Sequence, residues 1–160
     1  MIRIGIVSDT HHDWQTALKA MQQLGRLDLI CHAGDIYNDG EKLGKSLGIE
    51  VKIVVGNCDF RKSMPREQVF QIGEKKIFLT HGHLYQVKRG YENLIFRGME
   101  LAADIVIFGH THVPVCFVQG EMLLINPGSL REARGGSKPS YALLEILEQK
   151  VETKFFSFCT

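Results

Sequence analysis

The chain has 160 residues, 44% of them hydrophobic and 23% charged, with a formal net charge of +1. That length and balance fit one soluble globular domain over residues 1–160, with room for a sizeable core. The small net charge and the lack of a long Lys or Arg block argue against a long nucleic acid as partner and leave room for a small phosphorylated substrate.

No apolar run approaches the ~18–20 residues that would cross a membrane, and no basic-then-apolar leader precedes the first strand. The four cysteines, Cys31, Cys58, Cys116 and Cys159, form no CxxC pair. Free thiols and a cytoplasmic location are the expectation.

In chain order, Ile2–Val7 is a short, β-branched-rich apolar run and predicts the first strand. Trp14, Ala17, Leu18, Met21 and Leu24 recur at helical spacing, with Asp13 placed as N-cap and Gly25 as stop. A strand over 27–31, a helix over 41–47 closed by Gly48, and a strand over 51–55 follow. This βαβαβ order implies parallel strands with right-handed crossovers. Residues 68–72 and 76–79 flank Gly73-Glu74-Lys75, a hairpin signal. Val87, Tyr91, Leu94, Ile95, Met99 and Ala102 predict a third helix. Strands are expected at 105–108, 115–118, 122–125 and 141–146, and an edge strand at 151–158. The expected fold is α/β: two packed mixed sheets forming a sandwich flanked by helices, four layers in the order α/β/β/α.

Five polar clusters each follow an apolar run: Asp9-Thr10-His11, Gly34-Asp35, Gly56-Asn57-Cys58-Asp59, His81-Gly82-His83 and Gly109-His110-Thr111-His112. All seven histidines lie in these clusters or within three residues of one. Residues just past a strand sit at the carboxyl rim of a sheet, where ligands of α/β proteins bind. Gly34, Gly56, Gly82, Gly109 and Gly128 are placed to take positive φ and approach a ligand closely, or to serve as ordinary turns. Singly, each cluster has a plain reading: Asp9 and His11 bonding within a turn, or Asp35 capping the next helix. Together, two carboxylates, one amide and four imidazoles match two divalent ions, with one carboxylate bridging them at roughly 3.5–4 Å. Mixed O and N donors suit Mn, Fe, Zn, Ni or Mg, the imidazoles favouring Mn, Fe or Zn.

The order D-x-H, G-D, G-N-x-D, H, G-H-x-H from Asp9 to His112 resembles the signature of the calcineurin-like metallophosphoesterases. The short length, the Gly56-Asn57-Cys58-Asp59 version and Asn126-Pro127-Gly128-Ser129 look like the YfcE-like branch of small phosphodiesterases. The resemblance implies Asp9, His11 and His112 on one metal and Asn57, His81 and His110 on the other, with Asp35 bridging. It implies a metal-bridging hydroxide attacking phosphorus in line, with Asp35, Asn57 and His81 in the catalytic set. Two divalent ions are implied, Mn²⁺ first, then Zn²⁺, Fe²⁺ or Ni²⁺.

The chain departs from the family at a position that bears on catalysis. Many relatives carry His where this chain has Cys58, and that His is thought to protonate the leaving group or steady the transition state. Beside two cations a thiol is expected to lose its proton and to be a poor acid. His12 stands where the family usually has Gly and faces either the substrate mouth or solvent. His32 and His83 are expected as outer hydrogen-bond partners or phosphate contacts, and Asp59 as an orienting carboxylate. Ser129 either offers a hydroxyl near the site or belongs to a plain turn before Leu130, and Arg131 and Arg134 meet either substrate phosphate or solvent. Two other readings stay open: a phosphomonoesterase or nuclease, and a non-catalytic scaffold like the metallophosphoesterase-fold subunit of the retromer complex. Phe155, Phe156 and Phe158 pack on the core or pair subunits, and a homodimer is expected.

Overall fold

The parallel half of the chain forms as its pattern demands. In the computed structural model, which describes residues 1–60, 63–148 and 150–158, β1 (Ile2–Val7) runs parallel to β2 (Leu29–His32), and β2 parallel to β3 (Val51–Ile53). Two helices make the crossovers, α1 (Trp14–Gln23) and α2 (Tyr37–Leu47). The Asp13 carboxylate caps α1, accepting from the Thr16 amide at 3.2 Å, and Gly25 follows the helix with φ of 76°. After the last crossover come β4 (Glu67–Ile72), β5 (Lys75–Thr80), a 3₁₀ turn (His83–Tyr85), α3 (Glu92–Glu100), β6 (Ile105–Ile107), β7 (Pro114–Gln119), β8 (Met122–Pro127), β9 (Ser140–Ile146) and β10 (Val151–Ser157).

These strands form two mixed sheets, ordered β10-β9-β1-β2-β3 and β4-β5-β6-β8-β7. Period-two alternation divides each strand between two layers. Ile4 and Ile6 of β1 meet Ile77, Leu79, Ile105, Ile107 and Ile125 of the second sheet in the core between the sheets. On the other side of the first sheet, Val7, Ile30 and Leu143 take Ala17, Ala20, Met21 and Leu43 of the helices. Leu94 of α3 covers Phe78, Val106, Phe108 and Leu124 on the outside of the second sheet. The result is the expected α/β/β/α sandwich, with β10 at a sheet edge.

Element boundaries differ where glycine acts through packing. The α2 helix starts at Tyr37 rather than 41. A Cβ on Gly40 would stand 2.8 Å from Ile53, so this glycine seats the helix tightly on β3. The α3 helix is shorter than its apolar pattern: Gly90, at φ 153°, separates Val87 from it, and Ala102 turns left-handed (φ 51°) beyond its end. β3 ends at Ile53 because Val54 and Val55 leave the ladder while staying buried. Cys31, Cys58 and Cys116 are free, and the expectation for Cys159 lies outside the described residues. No helix among the described residues is long and apolar enough to cross a membrane.

Candidate metal centre

The carboxyl ends of β1, β2, β3, β5 and β6 deliver the five polar clusters to one end of the sandwich. The backbone there is bent hard. Among the described residues nine non-glycine residues have positive φ, and five of them are expected ligands: Asp9 (53°), His11 (42°), Asp35 (57°), His110 (71°) and His112 (59°). Such left-handed conformations persist only where the surroundings enforce them, and they gather at functional sites.

Hydrogen bonds do the enforcing. The Asp9 amide donates to the Gly34 carbonyl at 2.9 Å, and the Ser129 hydroxyl donates to the Asp9 carbonyl at 2.8 Å. Asp9 Oδ2 accepts from the Ser8 hydroxyl at 2.5 Å and from the His110 amide at 3.1 Å. This leaves Asp9 Oδ1 buried with no hydrogen-bond donor, aimed into the site, and His11 Nε2 is buried and unpartnered in the same way. His112 Nδ1 donates to the Glu132 carbonyl at 2.7 Å, which turns Nε2 toward Asp9 Oδ1, 3.0 Å away. Ligand atoms of Asp9, His11, Asp35 and His112 lie within 4.8 Å of one another. Three of these residues are buried and His11 is half-buried. Buried lone pairs converging without donors are costly unless a cation sits among them, so these residues fit a metal ion.

A second group abuts the first across Asp35. One Asp35 oxygen lies 3.9 Å from His11 Nε2, and the other lies 3.5 Å from His81 Nε2. His81 Nδ1 donates to the Ala33 carbonyl at 2.7 Å, so in the neutral ring Nε2 carries the lone pair. That atom faces Asn57 Oδ1 at 3.0 Å, one acceptor pointed at another. The His81 and His110 rings stand 5.0 Å apart. The structure thus brings all seven expected ligand residues to one rim.

Charge follows from this packing. Burial pushes the Asp9 carboxyl up, but the imidazoles of His112 and His81 beside it and the Ser8 hydroxyl together hold it well below the usual range. Burial opposes the charging of His112, yet Asp9 outweighs it and raises that imidazole. Burial, then the neighbouring His81, pushes His110 down from 6.5 to about 4. The same two causes lower His83. Neutral imidazole is the form that binds metal.

The remaining candidates separate by position. His32 is wholly buried, its Nε2 3.0 Å from the Thr10 hydroxyl and its Nδ1 accepting from the Gly34 amide, so it supports a loop from within. Asp59 accepts from the Gly56 and Tyr37 amides at 2.8 and 2.7 Å, stapling its own loop to α2. Asp35 does not cap α2: the N-cap is Ile36, without a side-chain bond, and Asp35 Oδ1 accepts instead from the Cys58 amide at 3.0 Å. His83 lies 5.3 Å from the His81 ring and 6.1 Å from His110, with Nδ1 buried and unpartnered. His12, Asn57, Cys58, Arg131 and Arg134 are exposed. Partial desolvation, then the Asp35 charge, pushes the Cys58 thiol up to about 11, and the two together keep its proton on sulfur.

The glycines divide as well. Gly34, Gly82 and Gly128 take positive φ. Gly56 and Gly109 do not, and matter for space: a Cβ would stand 2.0 Å from Asp35 Oδ1 at the first and 2.0 Å from the Ser8 hydroxyl at the second.

Two contributors escaped the sequence reading. Asp39, in the first turn of α2, is buried and accepts from the Thr10 hydroxyl at 2.6 Å and the His12 amide at 2.9 Å. Its signal was a carboxylate four residues before Leu43, on the apolar face of a helix. Glu132 holds His112 through its carbonyl and sets a half-exposed carboxylate 4.0 Å from His11 Nε2, with nothing in its spacing to announce it.

Residues 2–149 match the family model of the calcineurin-like phosphoesterase superfamily domain. The chain is 36% identical over 155 residues to the probable metallophosphoesterase YsnB of Bacillus subtilis, across 94% of this chain and 88% of that protein. To phosphodiesterase YfcE of Escherichia coli it is 30% identical over 171 residues, across 91% of this chain and 88% of that one. A conserved Streptococcus pneumoniae protein, described as a predicted phosphoesterase, superposes with a TM-score of 0.86 at 31% identity, over 98% of this chain and 89% of its own. Wild-type Vps29 of Entamoeba histolytica, in complex with Zn²⁺, superposes at 0.74 with 25% identity, over 97% and 98% of the two chains. With the donor set, the fold and these likenesses in agreement, the chain belongs to the calcineurin-like phosphoesterase superfamily.

Proposed function

We propose that residues 1–160 act as one catalytic domain, a cytoplasmic phosphodiesterase that uses two divalent ions, Mn²⁺ foremost, on a small phosphodiester. The observation that carries this reading is the pair of buried, donorless atoms, Asp9 Oδ1 and His11 Nε2, facing Asp35 and His112. Asp9, His11 and His112 would hold one ion, and Asn57, His81 and His110 the other. Asp35 would touch both, since its two oxygens face opposite groups. Ions bound there supply Lewis acidity and an activated water for in-line attack on phosphorus. The chain's own part is positioning: carbonyls of Ala33 and Glu132 fix two rings, and Ser8 and Ser129 fix Asp9. The likeness to YfcE, a phosphodiesterase by name, supports the same reaction class.

The test is metal content after reconstitution, with hydrolysis of bis-p-nitrophenyl phosphate in Mn²⁺. Two equivalents of metal are expected, and Asp35→Ala or Asn57→Ala should lower kcat/KM by ~100-fold or more. Substoichiometric metal, with activity indifferent to both substitutions, favours the scaffold reading, which the likeness to Vps29 supports. Cys58 bears on the leaving group. A thiol at the exposed rim, in place of the imidazole many relatives carry, points to a preference for activated esters. Cys58→His should raise turnover of alkyl or nucleotide diesters more than of p-nitrophenyl esters, and an unchanged ratio would sink this part of the reading.

A further inference from the structure

β10 pairs with β9 on one side and ends its sheet on the other. The Leu147 amide donates to the Lys150 carbonyl at 2.8 Å, which sets the phase of the hairpin. Counting in twos from that pair, Glu152, Lys154 and Phe156 bond back to β9. Val151, Thr153 and Phe155 therefore turn their N–H and C=O groups outward.

The side chains divide too. Val151, Thr153 and Phe155 stand beside Ile146, Leu144 and Ala142 on the face between the sheets. Glu152 and Lys154 lie on the opposite face. Two features remain unresolved within one copy, and a third is a close pair of like charges. Phe155 is 40% exposed at the rim of an apolar layer. The Thr153 hydroxyl is buried without a hydrogen-bond partner. Glu152, paired with Lys150 at the start of its own strand, sits in register with Glu145, a like charge that Arg3 and Lys154 share.

The segment Val-Glu-Thr-Lys-Phe reads alike in both directions in chemical character: apolar, charged, Thr, opposite charge, apolar. We propose that β10 pairs antiparallel with β10 of a second copy, about a two-fold axis through Thr153, joining two five-stranded sheets into one. In that register Thr153 meets Thr153, giving each hydroxyl the neighbour it lacks. Val151 meets Phe155 of the second copy and covers its exposed ring. Glu152 falls opposite Lys154 of the second copy, in the non-hydrogen-bonded pairs whose side chains approach most closely. An edge lysine discourages pairing with arbitrary strands. This register is the one that supplies it with an opposite charge twice over. The occupant is therefore a second copy of the same chain.

The test is sedimentation of the full chain across a concentration series. The native chain should form a dimer, and Glu152→Lys, which sets Lys against Lys at two symmetric places, should weaken it about tenfold or more. The double exchange Glu152→Lys with Lys154→Glu should restore it, which a general loss of folding would not do. Thr153→Pro should abolish the dimer, because the lost N–H points away from β9. In the unaltered chain, the Thr153 amide should be protected from hydrogen exchange in concentrated solution and exposed on dilution. A native monomer at high micromolar concentration overturns the proposal, as does a dimer indifferent to Glu152→Lys, or a double exchange no tighter than the single.

Discussion

Asp39 shows how one carboxylate away from the reacting atoms can govern the site. It takes the Thr10 hydroxyl and the His12 amide, so it grips the loop on both sides of His11. His32 lies behind the same hydroxyl. Replacing Asp39 by Ala leaves the His12 amide short of a partner and the Thr10 hydroxyl only the Asp35 carbonyl as acceptor, 3.4 Å away, at about 1–3 kcal/mol where water cannot reach. We expect Asp39→Ala to lower the melting temperature by roughly 4–10 °C in calorimetry, and to weaken metal binding through the displaced His11 by ~10–100-fold. Asp39→Asn, which keeps an acceptor, should lose less of both. The residues that meet at the rim were legible, because Asp, Asn and His placed just past strand ends share one edge of the sheets. Asp39 and Glu132 were not, because each acts through a neighbour's orientation, which spacing does not encode.

At the scale of elements, the active parts are the turns that leave each strand. Gly34 carries φ of 98°, and a Cβ there would stand 2.7 Å from His81 Nδ1, the atom bonded to the Ala33 carbonyl. Gly34→Ala should therefore push the imidazole off its carbonyl and strain the backbone by about 1–3 kcal/mol. Isothermal titration should show one class of metal sites weakened while the Asp9, His11 and His112 group still binds. Loss of both classes together would mean that Gly34 shapes the whole rim. The strands and α1 were legible from period and caps. The start of α2 and the length of α3 were not. Gly40 lowers helix propensity while improving the fit to Ile53, and Gly90 interrupts an apolar pattern that continues past it. Tertiary packing overrode local preference in both places.

For the whole molecule, the imidazoles link stability to acidity. In the metal-free chain His110 titrates at about 4 against 6.5 when free, so the unfolded chain binds a proton that the folded chain refuses. Stability then falls as pH drops from 6.5 toward 4. His32 and His83, also lowered, act in the same direction. His112 is raised, and its stabilising share is present below 6.5 and lost as pH rises through its folded value. Asp9 keeps its contribution until the solution is well below 3.8, outside this window. Three imidazoles oppose one, so calorimetry with chelator present should give a lower melting temperature near pH 5 than near pH 7. The sandwich was legible as a class, because the strand count exceeds one sheet. The meeting of its two rims was legible only through their shared chemistry.

That meeting has a mechanical side. Asp9, His11 and Asp35 leave the first sheet, whereas His81, His110 and His112 leave the second. Most of what joins the two layers is an oily seam, which resists separation but yields to sliding. An ion held from both banks would act as a rivet through one end of that seam. The sheets cannot shear past each other until its bonds let go, so the loaded protein would owe its persistence to a slow first step of opening as much as to a deep free-energy well. The cluster proposed to do the chemistry would then also time how long the fold lasts.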